Sequence, residues 1–133
     1  MRYDLIAKVI QDAGFGTMGT DIFIHRMDEV CLNGILIRGP LDGIPTDDNL
    51  PDYYRGSLQI VIRNVDQLTG DDIARRLRPV LEMEREVFLD TSGNVLMDVK
   101  QIFLTKLPIV YLRSVGHAIE WSLNFKTYYV MPS

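Results

Sequence analysis

From Ile119 to Lys126 the chain alternates without a break. Ile119, Trp121, Leu123 and Phe125 share one face, and Glu120, Ser122, Asn124 and Lys126 share the other. A period of two is the signature of a strand with one face buried and one face wet. A slip of one residue would carry Glu120 and Lys126 inward and Trp121 and Phe125 out, so the register is strongly specified. Parallel sheets bury both faces and read as continuous apolar runs, which points this strand to an antiparallel sheet covered on one side.

Two amphipathic segments can supply that cover. Leu5, Ile6, Val9 and Ile10 fall at helical spacing, with Asp4, Lys8, Gln11 and Asp12 left for solvent, and Gly14 is placed to stop the helix. A second helix is expected to start at Thr69 as N-cap, with Asp71 and Asp72 in its first turn and Ile73, Leu77, Val80 and Leu81 as its apolar stripe. Pro79 within that stripe predicts a kink or an early end. Short strands are expected at Asp21–Arg26, Gly34–Arg38 and Gly56–Arg63. A hairpin is expected at 87–97, turning on Thr91-Ser92-Gly93-Asn94, and further strands at Gln101–Thr105 and Ile109–Arg113. The chain shows no internal repeat and no low-complexity tract. The fold class is α+β: a mostly antiparallel sheet with two helices packed on one face, a long Pro/Asp-rich loop and a β-hairpin. At 133 residues it reads as a single domain, 1–133.

Charge narrows the function. Eighteen Asp and Glu against fourteen Lys and Arg leave a net charge of −4, the wrong sign for a protein whose main task is to grip nucleic acid. The single cysteine, Cys31, cannot form an internal disulfide and is read as a small buried hydrophobe in a reducing compartment. Met1-Arg2-Tyr3-Asp4 leads into an amphipathic stretch, so no secretory signal is expected, and no run of about eighteen apolar residues predicts a membrane span.

The chain offers little that looks like reaction chemistry. Gly14-Phe15-Gly16-Thr17-Met18-Gly19 spells G-x-G-x-x-G. A dinucleotide site needs those glycines after a strand and opening a helix; here they follow a helix and precede a strand, which makes them a turn. His25 and His117 stand apart from any ligand spacing, so no metal site is expected, and no G-x-S-x-G elbow surrounds a serine. Asp71 and Asp72, adjacent on a helix, do not face each other as paired acids would. Arg75, Arg76 and Arg78 form a short basic cluster ringed by carboxylates, which suits a solvated or intersubunit salt-bridging face better than phosphate contact. Neither a catalytic residue nor a cofactor is expected. The feature left over is the stretch from Gly39 to Tyr54. It carries three prolines and Asp42, Asp47, Asp48 and Asp52 without one Lys or Arg, and ends in Tyr53-Tyr54-Arg55. It reads either as a floppy acidic insertion or as a segment that orders on assembly through aromatic and arginine anchors.

The order of elements, with Gly16-Thr17-Met18-Gly19-Thr20-Asp21-Ile22-Phe23-Ile24-His25-Arg26-Met27, then Tyr54-Arg55-Gly56-Ser57-Leu58-Gln59-Ile60-Val61-Ile62-Arg63 and the closing Trp121–Tyr128 strand, resembles the tail-terminator (minor capsid) family of long-tailed bacteriophages over nearly the whole chain. The resemblance implies a non-enzymatic virion protein of the head–tail neck, assembled in the host cytoplasm. It implies a homo-oligomeric ring, in known relatives usually a hexamer, that closes the tail tube and meets the head connector. A ring needs two different patches per subunit related by a rotation that closes. On that basis Phe23, Arg26, Tyr53, Tyr54 and Arg55 are expected at or near subunit contacts. Asp47, Asp48 and Asp52 are expected to face the lumen, where carboxylates would repel phosphates and let DNA slide past without specific binding. Two alternatives stay open: a neighbouring neck component, such as a head-completion, connector-stopper or tail-completion protein, and an enzyme whose site forms between subunits. A pocket joining His25 or His117 to a carboxylate would favour the latter.

Overall fold

A computed structural model describes residues 1–40, 43–46, 49–112 and 117–132. The elements run α1 (Tyr3–Asp12), β1 (Ile22–Ile24), β2 (Gly34–Arg38), β3 (Tyr53–Asn64), α2 (Gln67–Leu81), β4 (Met83–Leu89), β5 (Val95–Leu104), β6 (Ile109–Leu112) and β7 (Ile119–Val130). Among the described residues the strands form one sheet in the order β1-β2-β3-β7-β5-β4, with β6 also beside β7. The strand with the clearest alternation is the organising one. β7 pairs with β3 along its whole length, from Asn64 opposite Ile119 to Tyr53 opposite Val130. Its other edge is shared: β6 takes Ile119–Ser122, and β5 takes Phe125–Val130. Every pairing is antiparallel except β1 with β2, which run parallel.

Both helices cover one face, as the sequence predicts. Ile6, Ala7 and Ile10 of α1 and Ala74, Leu77 and Leu81 of α2 are buried in one cluster with Ile35 and Ile37, Leu58, Ile60 and Ile62, and Trp121, Leu123 and Phe125. Each large side chain so buried is worth roughly 1.5–3 kcal/mol. The opposite face carries a smaller buried cluster of Met27, Leu36 and Val61, flanked by Phe23 and Cys31.

Local readings shift in several places, each for an identifiable reason. The N-cap of α2 is Asp66 and not Thr69: its carboxylate accepts from the Thr69 amide at 3.2 Å and also from the Thr69 hydroxyl. The helix therefore starts earlier, and Asp71 and Asp72 fall outside its first turn. α2 continues to Leu81 past Pro79, because the proline sits in the last turn and the Glu82 amide still reaches the Arg78 carbonyl at 2.9 Å. β3 begins at Tyr53, so Tyr53 and Tyr54 belong to the sheet and not to the preceding loop; Leu41, Asp42, Asp47 and Asp48 of that loop lie outside the described residues. β5 is one strand where two are expected, since Asp98–Leu104 find partners along β7 that local patterning cannot reveal. The strand expected at Ile109–Arg113 is present as β6, its last residue lying outside the described residues.

Candidate functional site, an assembly surface

The most constructed part of the surface lies over Trp121. A Cβ on Gly70 would stand 2.0 Å from the indole Cη2, so only glycine lets α2 approach the ring this closely. The indole Nε1 donates to Asp71 Oδ1 at 2.6 Å, which ties the start of α2 to the middle of the sheet. Asp71, expected to face the helix dipole from the first turn, serves as the acceptor for a buried tryptophan. Beside this contact Arg75 and Arg78 of α2 face Leu104, Leu107, Pro108 and Val110 across a groove of about 370 Å³, floored by Trp121 and Leu123. One lip of the groove is unusual for a soluble surface. All four residues of β6 are exposed although all are apolar or aromatic, and Leu107 and Leu112 on either side of its core are 80% and 78% exposed.

The second prominent feature is the hairpin of β4 and β5. β4 is the outermost strand on its side of the sheet, exposed at five of its seven positions, with Met83 and Phe88 turned to the core. The pairing of β5 with β7 shifts around Lys100, and directly across from it Arg85 takes a left-handed backbone (φ 54°). An extra residue in one strand bends it and sharpens its twist. The hairpin runs on past Val130, the last residue of β7, which pairs with Asp98. Its end exposes Val87, Leu89 and Val95. Asp90 holds the turn by accepting from the Ser92 and Asn94 amides at 2.9 and 2.8 Å, and these bonds keep its carboxyl below the usual range.

The wet face of the sheet is a polar network. Gln59 accepts from Arg38 and donates to Ser122 Oγ at 2.7 Å and Asn124 Oδ1 at 3.2 Å. Arg63 pairs with Glu120 at 3.0 Å, both side chains being about nine-tenths buried. The same guanidinium donates to the carbonyls of Asp28 and Cys31 at 2.9 and 3.0 Å, fastening the segment between β1 and β2 to the sheet. Burial holds the Tyr111 hydroxyl above its ordinary pKa, and the charge of Glu120 adds to this. These groups orient one another. Among the described residues no three of His, Cys, Asp and Glu gather as metal ligands, and no helix is long and apolar enough to cross a membrane.

The residues singled out in the sequence fall into two separate places. Phe23 lies on β1 against the smaller buried cluster, and Arg26 is exposed just beyond it. Tyr53, Tyr54 and Arg55 open β3 at the end where β7 finishes. Tyr54 packs on Tyr129 at 5.4 Å between ring centres, burial raises the Tyr129 hydroxyl well above its usual pKa, and Arg55 lies over the Tyr53 ring at 5.7 Å. Phe23 pairs with Leu36, which pairs with Val61, so it sits about seven residues along β3 from Tyr54, roughly 23 Å at strand spacing. Asp52 sits at the foot of β3, its carbonyl accepting from the Met131 amide at 2.9 Å; Asp47 and Asp48 lie outside the described residues. His25 meets the Tyr3 ring edge-on at 5.1 Å, and the glycines from Gly14 form the turn between α1 and β1. Arg75 and Arg76 both pair with Asp72, and Arg78 pairs with Glu82. Sequence reasoning placed β6 but missed the groove beside it and the exposure of its apolar residues. The available signal was Leu107–Leu112 itself, a continuous apolar run beside β7, the strand with the clearest alternation.

A helix-covered sheet with an apolar edge strand, a protruding hairpin and a self-paired polar face defines an α+β protein built to be touched by other proteins. The family model of the bacteriophage tail terminator protein matches residues 9–130, and the chain belongs to that family. It is a structural protein of the phage tail or neck. Among solved structures, a chain described as "Virion of native gene transfer agent (GTA) particle" is similar in fold, with a TM-score of 0.57 at 10% identity over 95% of this chain and 84% of that one. No curated protein matches the sequence.

Proposed function

We propose that residues 1–133 act as one terminator domain that assembles into a ring of identical subunits, most simply a hexamer. The ring sits on the head-proximal end of the tail tube. It stops the tube growing and presents the surface on which the head connector seats, and DNA passes through its lumen without specific binding. The observation that carries this reading is the family match over residues 9–130. The net charge of −4 supports a conduit that does not retain DNA, and the exposed apolar features give a heterologous ring the two unlike patches it requires. In this reading Phe23, Arg26, Tyr53, Tyr54 and Arg55 lie at or near contacts between subunits, and Asp47, Asp48 and Asp52 face the passing genome.

Electron micrographs of tails assembled with and without the protein test the assignment: overlong, headless tubes in its absence are expected, and normal tube lengths would refute it. A neighbouring neck role is separated by binding, since a terminator associates with purified tube ends and a head-completion protein with filled heads. Replacing Asp47, Asp48 and Asp52 with Asn is expected to slow DNA ejection while rings still form; an unchanged ejection rate would remove the lumen role.

A further inference from the structure

We infer that the end of the β4–β5 hairpin of one subunit seats in the groove over Trp121 of the next, against β6, and that this contact repeats around the ring; the inference rests on the ring reading above. The two surfaces lie at opposite ends of the same strand. β6 and the groove flank the start of β7, around Trp121, whereas the hairpin overruns its end at Val130. Nine residues of strand separate those positions by roughly 30 Å, so the hairpin cannot fill its own groove. A projection at one end and a recess at the other is the head-to-tail arrangement that a heterologous contact needs.

The chemistry of the two surfaces agrees with that geometry. The hairpin end offers Val87, Leu89 and Val95, and the groove offers Leu104, Leu107, Pro108 and Val110, so apolar surface left in water by each copy is covered by the next. Charge does not oppose the contact. From Met83 to Leu104 the hairpin carries four carboxylates and two cations, a net of −2. The groove is rimmed by Arg75 and Arg78, which pair with Asp72 and Glu82 of their own chain, and Asp71 is engaged by the Trp121 indole. A guanidinium has five donors, so either arginine can meet a further carboxylate. The outer edges of β4 and β6 lack strand partners among the described residues, so main-chain hydrogen bonds are available to join one sheet to the next.

Two full-length variants test this. Val87→Lys with Leu89→Lys places cations on the hairpin end, and Leu107→Glu with Val110→Glu places carboxylates on the groove lip; all four positions are exposed, so far-UV circular dichroism should match the parent, as should the melting midpoint at dilutions where both are monomeric. Followed by native mass spectrometry and light scattering, each variant alone is expected to assemble at least tenfold more weakly than the parent. Mixed in equal amounts they should assemble again as alternating rings, because each parent hairpin meets a parent groove and each Lys-bearing hairpin meets a Glu-bearing groove. A chain carrying all four substitutions should assemble again, with the charges exchanged. Rings from the parent and equally from both separate variants would overturn this contact and leave the ring standing. A parent protein that stays monomeric at high concentration and on tube ends would overturn both.

Discussion

Trp121 shows how much hangs on single atoms. Its burial depends on Gly70 having no side chain and on Asp71 supplying an acceptor. Gly70→Ala is expected to force α2 away from the ring at a cost of about 3 kcal/mol in denaturant unfolding, the upper part of the range for overpacking. Asp71→Ala, which strands a buried indole N–H, should cost about 1–3 kcal/mol, and Asp71→Asn much less. Thr127 presents the opposite case. It is fully buried, and its hydroxyl has no hydrogen-bond partner among the described residues. Thr127→Val exchanges that hydroxyl for a methyl and is expected to stabilise the protein by about 1 kcal/mol, read as a raised melting midpoint.

At the scale of elements, the strand pairs are held by local pattern and the connections by long-range polar contacts. The segment from His25 to Asn33 has little structure of its own and is fixed by the two carbonyl bonds to Arg63 and by Met27 in the smaller buried cluster. Removing either member of the Arg63–Glu120 pair leaves the other charge largely desolvated. Arg63→Met or Glu120→Leu alone should each cost about 3 kcal/mol. The double replacement should cost Glu120 nothing further and be milder than the sum, so a double-mutant cycle separates the ion pair from the anchoring of the segment. An additive result would mean that the pair itself contributes nothing.

The whole molecule carries its acid sensitivity in carboxylates on turns and helix ends. Asp4 is held below its ordinary pKa first by Arg2, Asp66 by the Thr69 hydroxyl, Asp72 by Arg75 and Arg76, and Asp90 by the Asn94 amide. A carboxylate whose folded pKa is depressed contributes stability that is complete above its unfolded value, near 3.9. That contribution is lost as pH falls through the folded value. Stability is therefore expected to be flat from neutral pH to about 5 and to fall steeply only below about 4. Urea unfolding at a series of pH values checks this, and a loss beginning near pH 6 would refute it. The assembly adds its own scale: if subunits cover one another's apolar edges, the ring should melt above the monomer, at a midpoint that rises with protein concentration.

Period and punctuation were enough to read the α+β class, the two covering helices, the buried face of β7 and the hairpin turn at Thr91–Asn94, because each depends on residues within a few positions of one another. Partnership was not readable in the same way. That β7 lies between β3 and both β5 and β6, that β1 runs parallel to β2, and that Asp71 meets a tryptophan fifty residues away depend on where the folded chain brings distant segments together. The groove over Trp121 belongs to that second kind. Its walls come from α2, the stretch from Leu104 to Val110, and β7, three segments that lie apart in the sequence. Side-chain alternation is a property of one strand, whereas a recess exists only once several elements have packed around the same empty volume.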